Sequence, residues 1–323
     1  MALLHNSTYD PKIFFKSKHF NTIYRTLFLN FKTNYQRKRM ETSDGDFLDL
    51  DLSIVNSNKI AIVIHGLEGS SNSNYVKSLT KVLNDNSFDV ASINLRGCSG
   101  EPNRLLSSYH SGKTDDLAEV LSYIEDKYDY DDFYLVGFSL GGNLILKYLG
   151  ENNFKIQAKV KSAVTVSVPC DLKGSSEAIA KFWNMVYMQR FLISLKQKTL
   201  HKSKKFPDSF LKEESILKVK NFYDFDNLYT APAHGFIDAY DYWKKNSSKQ
   251  FIPNIKIPTL LITAGDDPFL SDSCIPTHEA KNNDHFSLEI TKYGGHVGFN
   301  SNFSNENGLW LENRIVQFLQ EKK

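Results

Sequence analysis

A serine flanked by glycines stands at the end of an apolar run near the middle of the chain. Residues 133–142 read FYLVGFSLGG, so Ser139 is the centre of a G-x-S-x-G pattern with Gly137 and Gly141. The apolar run predicts a buried strand, and residues 143–149 predict a helix. A serine on such a sharp strand-to-helix turn sits in strained backbone, and glycines two positions away leave room for the chain. The pattern predicts that Ser139 is a nucleophile.

A serine hydroxyl is a weak nucleophile and needs a base that is oriented by a third group. His296 is the best placed of the nine histidines, because it follows an apolar segment at 286–292 in a glycine-rich turn. The segment 259–265 ends in two acids, Asp266 and Asp267, followed by proline. The chain order Ser, acid, His is that of α/β-hydrolases. Spacing alone leaves both acids open as the partner of the histidine.

Paired acids also suggest a metal site as a competing interpretation. No cluster of His, Cys and carboxylate residues accompanies Asp266 and Asp267 in the sequence, and the three cysteines have no CxxC spacing. We therefore expect no metal and no organic cofactor.

Two backbone amides are candidates for stabilising a developing oxyanion. One belongs to Leu140, the residue after the nucleophile, and the other to Leu67, in the HGLEG loop at 65–69 that follows an apolar run at 60–64. Acyl transfer requires such a pair of preorganised N–H donors, one from each of these two places. We interpret His65, in the same loop, as a structural hydrogen-bonding residue and not as a second base.

Alternating strand and helix patterns surround these residues and must position them. Apolar, β-branched runs predict strands at 60–64, 90–95, 133–136, 160–168 and 259–263, and a further strand is predicted at 286–292. Segments of helical length lie at 74–83, 113–127, 140–150 and 310–320. Continuous apolar strands are typical of strands buried on both faces, and their alternation with helices predicts a mostly parallel sheet with helices on both sides.

Two regions interrupt the alternation and set the expected domain organisation. Residues 1–40 form an N-terminal extension, residues 171–250 form a helical cap inserted in the sheet, and residues 41–170 and 251–323 form the core. The extension carries eight Lys or Arg and one acid, interleaved with aromatic residues. We interpret it as packed on the core, with a membrane-surface arm as the alternative.

The cap contains a cluster of aromatic and sulfur side chains that are candidates for an acyl pocket. These residues are Phe182, Met185, Tyr187, Met188 and Phe191. Met and aromatic residues at helical spacing are also typical of a protein core, so both interpretations stay open.

Several blocks together resemble one family, the YheT-type α/β-hydrolases, whose relatives include the eukaryotic ABHD1/ABHD3 group. The blocks are HGLEG at 65–69, NLRGCSGEPNR at 94–104, GFSLGGN at 137–143 and DDPF at 266–269. The similarity extends over nearly the whole chain, through HFNT at 19–22 and FYDFD at 222–226, with Asn21 where the family usually has Gln.

The resemblance implies an α/β-hydrolase fold with an inserted helical cap, and hydrolysis of carboxylic esters. It also implies that the second acid of the DDP motif, Asp267, orients the histidine, with Asp266 as the fallback. The leading hypothesis is a serine esterase for short- to medium-chain acyl esters. The alternatives are a phospholipase, lysophospholipase or thioesterase with the same triad, or a non-catalytic ligand-binding member of the fold.

Composition limits the partners and the compartment. The formal net charge is +2, which excludes a global electrostatic nucleic-acid binder, and 41% hydrophobic residues exclude a disordered chain. No apolar run approaches the roughly 18 residues of a membrane span, and the first twelve residues contain no long apolar stretch, so we expect no export. The three widely spaced cysteines favour a reducing cytoplasm. The expected partner is a small-molecule ester, which includes lipid esters.

Overall fold

One β-sheet forms the centre of the molecule. The computed structural model describes residues 3–4, 7–151, 158–304 and 309–321. Within these ranges the strands are β1 (Leu3–Leu4), β2 (Gln36–Glu41), β3 (Phe47–Ser53), β4 (Lys59–Ile64), β5 (Asp89–Asn94), β6 (Asp132–Phe138), β7 (Val160–Val166), β8 (Thr259–Ala264) and β9 (Phe286–Thr291). Their order across the sheet is β1-β9-β8-β7-β6-β4-β5-β3-β2, and all run parallel except β3, which is antiparallel to β2 and β5.

Helices connect the strands and cover the sheet. They are α1 (Lys18–Phe28), α2 (Asn74–Asp85), α3 (Thr114–Lys127), α4 (Leu140–Gly150), α5 (Leu172–Ile179), α6 (Met185–Lys205), α7 (Glu213–Lys218), α8 (Phe222–Phe225), α9 (Ala231–Ala233), α10 (Ala239–Asn246), α11 (Thr277–Lys281) and α12 (Trp310–Glu321). Short 3-10 helices occupy Ile13–Lys16, Phe182–Asn184, Ser248–Asn254 and Asp272–Cys274, and Asp226–Thr230 is a π-helix. None of the helices in the described ranges is both long and apolar enough to cross a membrane.

The central strands are largely apolar because both faces of the sheet are covered. In β4, Ile62 and Ile64 face a cluster formed with α3 and α4, whereas Ala61 and Val63 face a cluster formed with α2 and α12. Successive side chains of a strand point to opposite faces, so a strand between two helix layers buries the side chains of both faces. The fold class predicted from the sequence is confirmed, including the six strands and four helices predicted for the core.

Three strands at the edges of the sheet were missed, and in two of them polar residues mask the pattern. β3 reads FLDLDLS and is buried along its whole length, because its aspartates are neutralised by the neighbouring strand. Arg39 donates two hydrogen bonds of 2.8 Å to Asp49, and Arg37 donates two of 2.8 Å to Asp51. β2 also begins at residue 36, so the sheet includes residues that the sequence assigned to the N-terminal extension.

The residues between β7 and β8 form a separate helical layer. Residues 167–258 are all described and contain α5 to α10 without a strand. They have their own apolar cluster, which includes Met188, Leu192 and Phe225 and reaches the core at Leu67 and Phe269. This layer therefore contacts the loops that follow β4 and β8, which are at the carboxyl ends of the parallel strands.

Candidate active site

Ser139 occupies the tight turn between β6 and α4. Its φ of 51° and ψ of −116° are unusual for a residue other than glycine, and such a conformation costs about 1–3 kcal/mol. The turn is held from both sides, because the Ser139 amide donates to the Val166 carbonyl at 2.8 Å and the Ser139 carbonyl accepts from the Asn143 amide at 3.0 Å. The hydroxyl is thereby fixed at the N-terminus of α4, where the helix dipole favours negative charge.

The two glycines of the motif are required by close approach of backbone. A Cβ on Gly137 would lie 2.6 Å from the carbonyl oxygen of Gly141. A Cβ on Gly141 would lie 2.5 Å from the carbonyl oxygen of Ile64. Any other residue at either position would force the turn away from β4, and the Ser139 hydroxyl with it.

A continuous chain of hydrogen bonds links Ser139, His296 and Asp267. Nε2 of His296 lies 3.0 Å from Oγ of Ser139, and Nδ1 lies 2.9 Å and 3.1 Å from the two carboxylate oxygens of Asp267. With the proton on Nδ1, Nε2 is free to accept the proton of the serine hydroxyl. The Asp267 carboxylate is buried and also accepts from the Phe269 amide at 2.9 Å, while the Phe269 ring packs on the imidazole at 4.2 Å between centroids.

Asp266 contacts the backbone of the histidine loop, and no hydrogen bond to the imidazole is found for it. Its Oδ1 accepts from the Gly295 amide at 2.9 Å. Burial raises the pKa of Asp266, and the nearby Asp267 charge raises it further against that hydrogen bond. The two acids that spacing alone left open therefore have different contacts. The His296 amide in turn donates to Thr22 of α1 at 2.9 Å, a contact that no pattern in the sequence indicated.

The amides of Leu67 and Leu140 are available to an incoming oxygen. Within the described residues neither amide has a hydrogen-bond acceptor, and both residues line the cavity above Ser139. The loop of Leu67 is close to the nucleophile, since a Cβ on Gly66 would lie 3.2 Å from Cβ of Ser139. Two unpaired amides beside the nucleophile are what a site for an oxyanion requires.

His65 has the structural contacts expected from the sequence. Its Nδ1 donates to the Gly66 carbonyl at 2.7 Å, and its Nε2 accepts from the Leu95 amide at 3.1 Å. Full burial lowers the pKa of His65 to about 4, so the ring is neutral at neutral pH and holds the loop after β4 against the end of β5.

A cavity of about 450 Å³ lies over Ser139 between the core and the helical layer. Its walls include Ile179, Leu195, Phe222 and Phe225 from the helical layer and Phe269 from the core. The volume and the mostly apolar lining are typical of a small-molecule site.

The acyl pocket predicted from the sequence requires correction at four of its five residues. Of the five predicted residues, only Phe191 lines the cavity. Phe182 is 79% exposed, Met188 is fully buried among the helices, and the Tyr187 hydroxyl pairs with Nδ1 of His19 at 3.2 Å. Met185 is half-buried and is also absent from the lining. The cause is the direction of α6. Its cavity-lining residues begin at Phe191 and continue toward the C-terminus, for example at Leu195 and Thr199, whereas the turns before Phe191 do not line the cavity.

The RGCSGEPNR block joins the core to the helical layer. Arg96 is buried and donates to Asp116 at 2.8 and 2.7 Å and to Asp44 at 2.8 Å. Asn103 donates to Asp46 at 2.6 Å and accepts from Lys202 of α6 at 2.7 Å. Burial lowers the pKa of Lys202 to about 8. The block therefore supplies one wall of the cavity and anchors α6.

Comparison with known proteins identifies the family. Residues 61–300 match the family model described as the alpha/beta hydrolase fold. YheT of Escherichia coli (strain K12), which is named as an esterase, is 34% identical over 97% of this chain and 93% of its own. The chain therefore belongs to the α/β-hydrolase family, in its YheT-type group.

More distant relatives have lipase and phospholipase names. The monoacylglycerol lipase of Saccharomyces cerevisiae is 30% identical over 84% of this chain and 61% of its own, and the bovine phospholipase ABHD3 is 26% identical over 97% and 78%. Among solved structures, the esterase Pf2001 of Pyrococcus furiosus superposes with a TM-score of 0.59 at 17% identity, over 90% of this chain and 93% of its own. At that identity the superposition shows the fold alone.

Proposed function

We propose that the protein is a serine esterase that hydrolyses carboxylic esters through an acyl-enzyme on Ser139. The observation that carries the proposal is the hydrogen-bonded chain from the Ser139 hydroxyl through His296 to Asp267. His296 accepts the hydroxyl proton while Oγ of Ser139 attacks the acyl carbonyl, and Asp267 orients the imidazole and stabilises its positive charge. The amides of Leu67 and Leu140 stabilise the oxyanion.

The second half of the reaction uses the same groups. His296 gives its proton to the leaving alcohol, the ester bond breaks, and the acyl group stays on Ser139. A water molecule then loses a proton to His296 and attacks the acyl carbonyl, which releases the acid and restores the hydroxyl. Every proton moves between Ser139, His296, the leaving alcohol and water, and the last one returns from His296 to the Ser139 oxygen, so this sequence needs no cofactor.

The lining of the cavity favours an ester with an apolar acyl group. The helical layer contributes several aromatic and aliphatic side chains to the walls, among them Phe191, Leu195 and Phe225. The esterase, lipase and phospholipase names of the relatives support the same substrate class. Within that class we propose short- to medium-chain esters, and a phospholipid, lysophospholipid or thioester would use the same residues. Three free cysteines are consistent with a cytoplasmic location.

Covalent labelling separates the esterase from a non-catalytic ligand-binding member of the fold. A fluorophosphonate probe reacts with a serine that an adjacent base activates, so we expect one label per chain, on Ser139. The His296→Ala protein should label far more slowly. A folded wild-type protein that takes up no label would exclude the esterase.

The preference for acyl length should depend on Phe191. A fourfold gain in kcat/KM for each buried CH₂ corresponds to about 0.8 kcal/mol, so kcat/KM should rise along a series of p-nitrophenyl esters until the cavity is full. Phe191→Ala enlarges the cavity and should move the optimum to longer chains, with little effect on acetate. Ile193→Ala, on the same helix but 63% exposed, is the matched control and should leave the optimum unchanged. If both variants kept the wild-type optimum, Phe191 would not be part of the acyl pocket.

A further inference from the structure

Three large apolar side chains protrude into solvent from the 3-10 helix at Phe182–Asn184 and from the first turn of α6. Phe182, Trp183 and Val186 are 79%, 80% and 79% exposed, and the rings of the first two pack on each other at 5.3 Å between centroids. We call these three residues the cap patch. Contiguous exposed side chains of this size mark an interaction site on a water-soluble surface.

The charged residues next to the cap patch in the sequence are cations. Residues 181–195 contain Lys181 and Arg190 and no Asp or Glu. Lys181 precedes the patch and Arg190 lies one helical turn beyond Val186, and both side chains are exposed. An apolar surface flanked by cations fits the headgroup region of a membrane that contains anionic lipids, where the apolar groups enter the acyl boundary and the cations remain with the phosphates.

The cap patch is also close to the candidate active site. Asn184, between Trp183 and Val186, donates to the Pro268 carbonyl at 2.6 Å in the loop that carries Asp267. The next aromatic residue of α6, Tyr187, packs on Phe269 at 4.8 Å, and Phe269 packs on His296. A surface bound to the cap patch would therefore lie beside the loop that contains Asp267 and Phe269.

We propose that the cap patch docks the protein on anionic phospholipid bilayers. Trp183 reports the docking directly, because Trp243 is buried and Trp310 is half-buried. With vesicles of phosphatidylcholine and phosphatidylglycerol, tryptophan emission should shift to the blue, and the protein should sediment with the vesicles. Both effects should weaken in high salt and with phosphatidylcholine alone.

Variants make the test decisive. Phe182→Ser with Val186→Ser should reduce vesicle binding at least tenfold, whereas Ile237→Ser, at an 86% exposed apolar site elsewhere in the helical layer, should not. Trp183→Phe should bind but lose the shift. Binding that is equal for all of these variants, no binding at all, or a concentration-dependent dimer that the patch variants abolish, would each overturn the proposal.

A second inference concerns Glu68, the residue after the Leu67 amide. Its backbone has a φ of 54°, and its carboxylate is 5% exposed. The carboxylate accepts from the Tyr109 hydroxyl at 2.7 Å, from Nζ of Lys198 at 2.8 Å, and from the hydroxyl of Ser194. Lys198 and Ser194 belong to α6, so one buried side chain ties the loop of Leu67 to the helical layer.

We infer that Glu68 is a positioning residue that holds the Leu67 amide in the orientation needed for an oxyanion. This inference rests on the proposed function. A left-handed conformation at a residue other than glycine persists only when its surroundings hold it, and here the holding contacts come from α6 and Tyr109. The Glu68 carboxylate thereby links the position of α6 to the orientation of the Leu67 amide.

Glu68→Gln and Glu68→Gly test this role. Gln keeps the shape but loses the charge that Lys198 pairs with, and Gly adopts the same φ without strain but has no side chain. Removal of one oxyanion donor costs about 10²–10³ in kcat, so we expect a loss of kcat up to that range with little change in KM. Affinity for a trifluoromethyl ketone inhibitor, whose adduct carries an oxyanion, should fall in parallel.

The control is Glu214→Gln, which removes the exposed ion pair between Glu214 and Lys218 on α7. It should change neither kcat nor inhibitor affinity. If wild type takes up fluorophosphonate while the two Glu68 variants keep full kcat and inhibitor affinity, the inference about Glu68 is wrong and the proposed function stands. If wild type itself takes up no probe, the proposed function has failed.

Discussion

Ser139→Ala should lower kcat for ester hydrolysis by about 10⁴–10⁶ while the protein stays folded. The variant keeps the amides of Leu67 and Leu140 and the cavity, so only binding and oxyanion stabilisation remain. Alanine has the same backbone preferences as serine in the turn, and the hydrogen bonds that hold it use only the backbone of residue 139. Burst kinetics with a p-nitrophenyl ester and a thermal melt of the same preparation measure both parts of the prediction.

The control for this result is a double variant. Residues that act as one unit give non-additive losses, so Ser139→Ala with His296→Ala should be about as slow as either single variant. Independent contributions would instead multiply. A folded Ser139→Ala protein with turnover near that of wild type would show that another group is the nucleophile.

The core and the hydrogen-bonded site could be predicted because local pattern and global fold agree there. Strands buried on both faces have continuous apolar sequences, and the G-x-S-x-G turn needs glycines wherever it occurs. Ser139 therefore follows β6, and Asp267 and His296 follow β8 and β9, so all three residues lie at the same edge of the sheet. Parallel strands bring their carboxyl ends together whatever their distance in sequence.

The pocket and the edge of the sheet were harder to predict because their residues depend on partners far away in the chain. Asp49 and Asp51 look solvent-facing until Arg39 and Arg37 of the neighbouring strand are placed beside them. The cavity face of α6 depends on how the helix is rotated against the core, which one sequence does not give. Nor does any motif indicate that Thr22 would hold the His296 amide.

The same substitution should lower kcat far more at one of the two acids after β8 than at the other. Asp267→Asn leaves the shape of the site intact but removes the charge that faces Nδ1 of His296, so the imidazolium formed during attack loses its partner and the favoured tautomer. A loss of about 10⁴ in kcat is the size expected for that change in a Ser-His-Asp site. Folding should be little affected, and kcat measured over a pH series with the same ester tests the effect.

Asp266→Asn should cost less than about tenfold in kcat, because an amide oxygen can still accept from the Gly295 amide. Burial and the Asp267 charge raise the pKa of Asp266, so ionising its carboxyl group costs more in the folded chain than in the unfolded chain. When the pKa of an acid is higher in the folded state than in the unfolded state, the protein loses stability as the pH rises through the folded-state pKa. Asn cannot ionise, so the Asp266→Asn protein does not lose this stability. The Asp266→Asn protein should therefore melt at the same temperature as wild type or above it at neutral pH, with the difference shrinking in acid. If instead Asp266→Asn gave the larger loss of kcat, the role of orienting His296 would pass from Asp267 to Asp266.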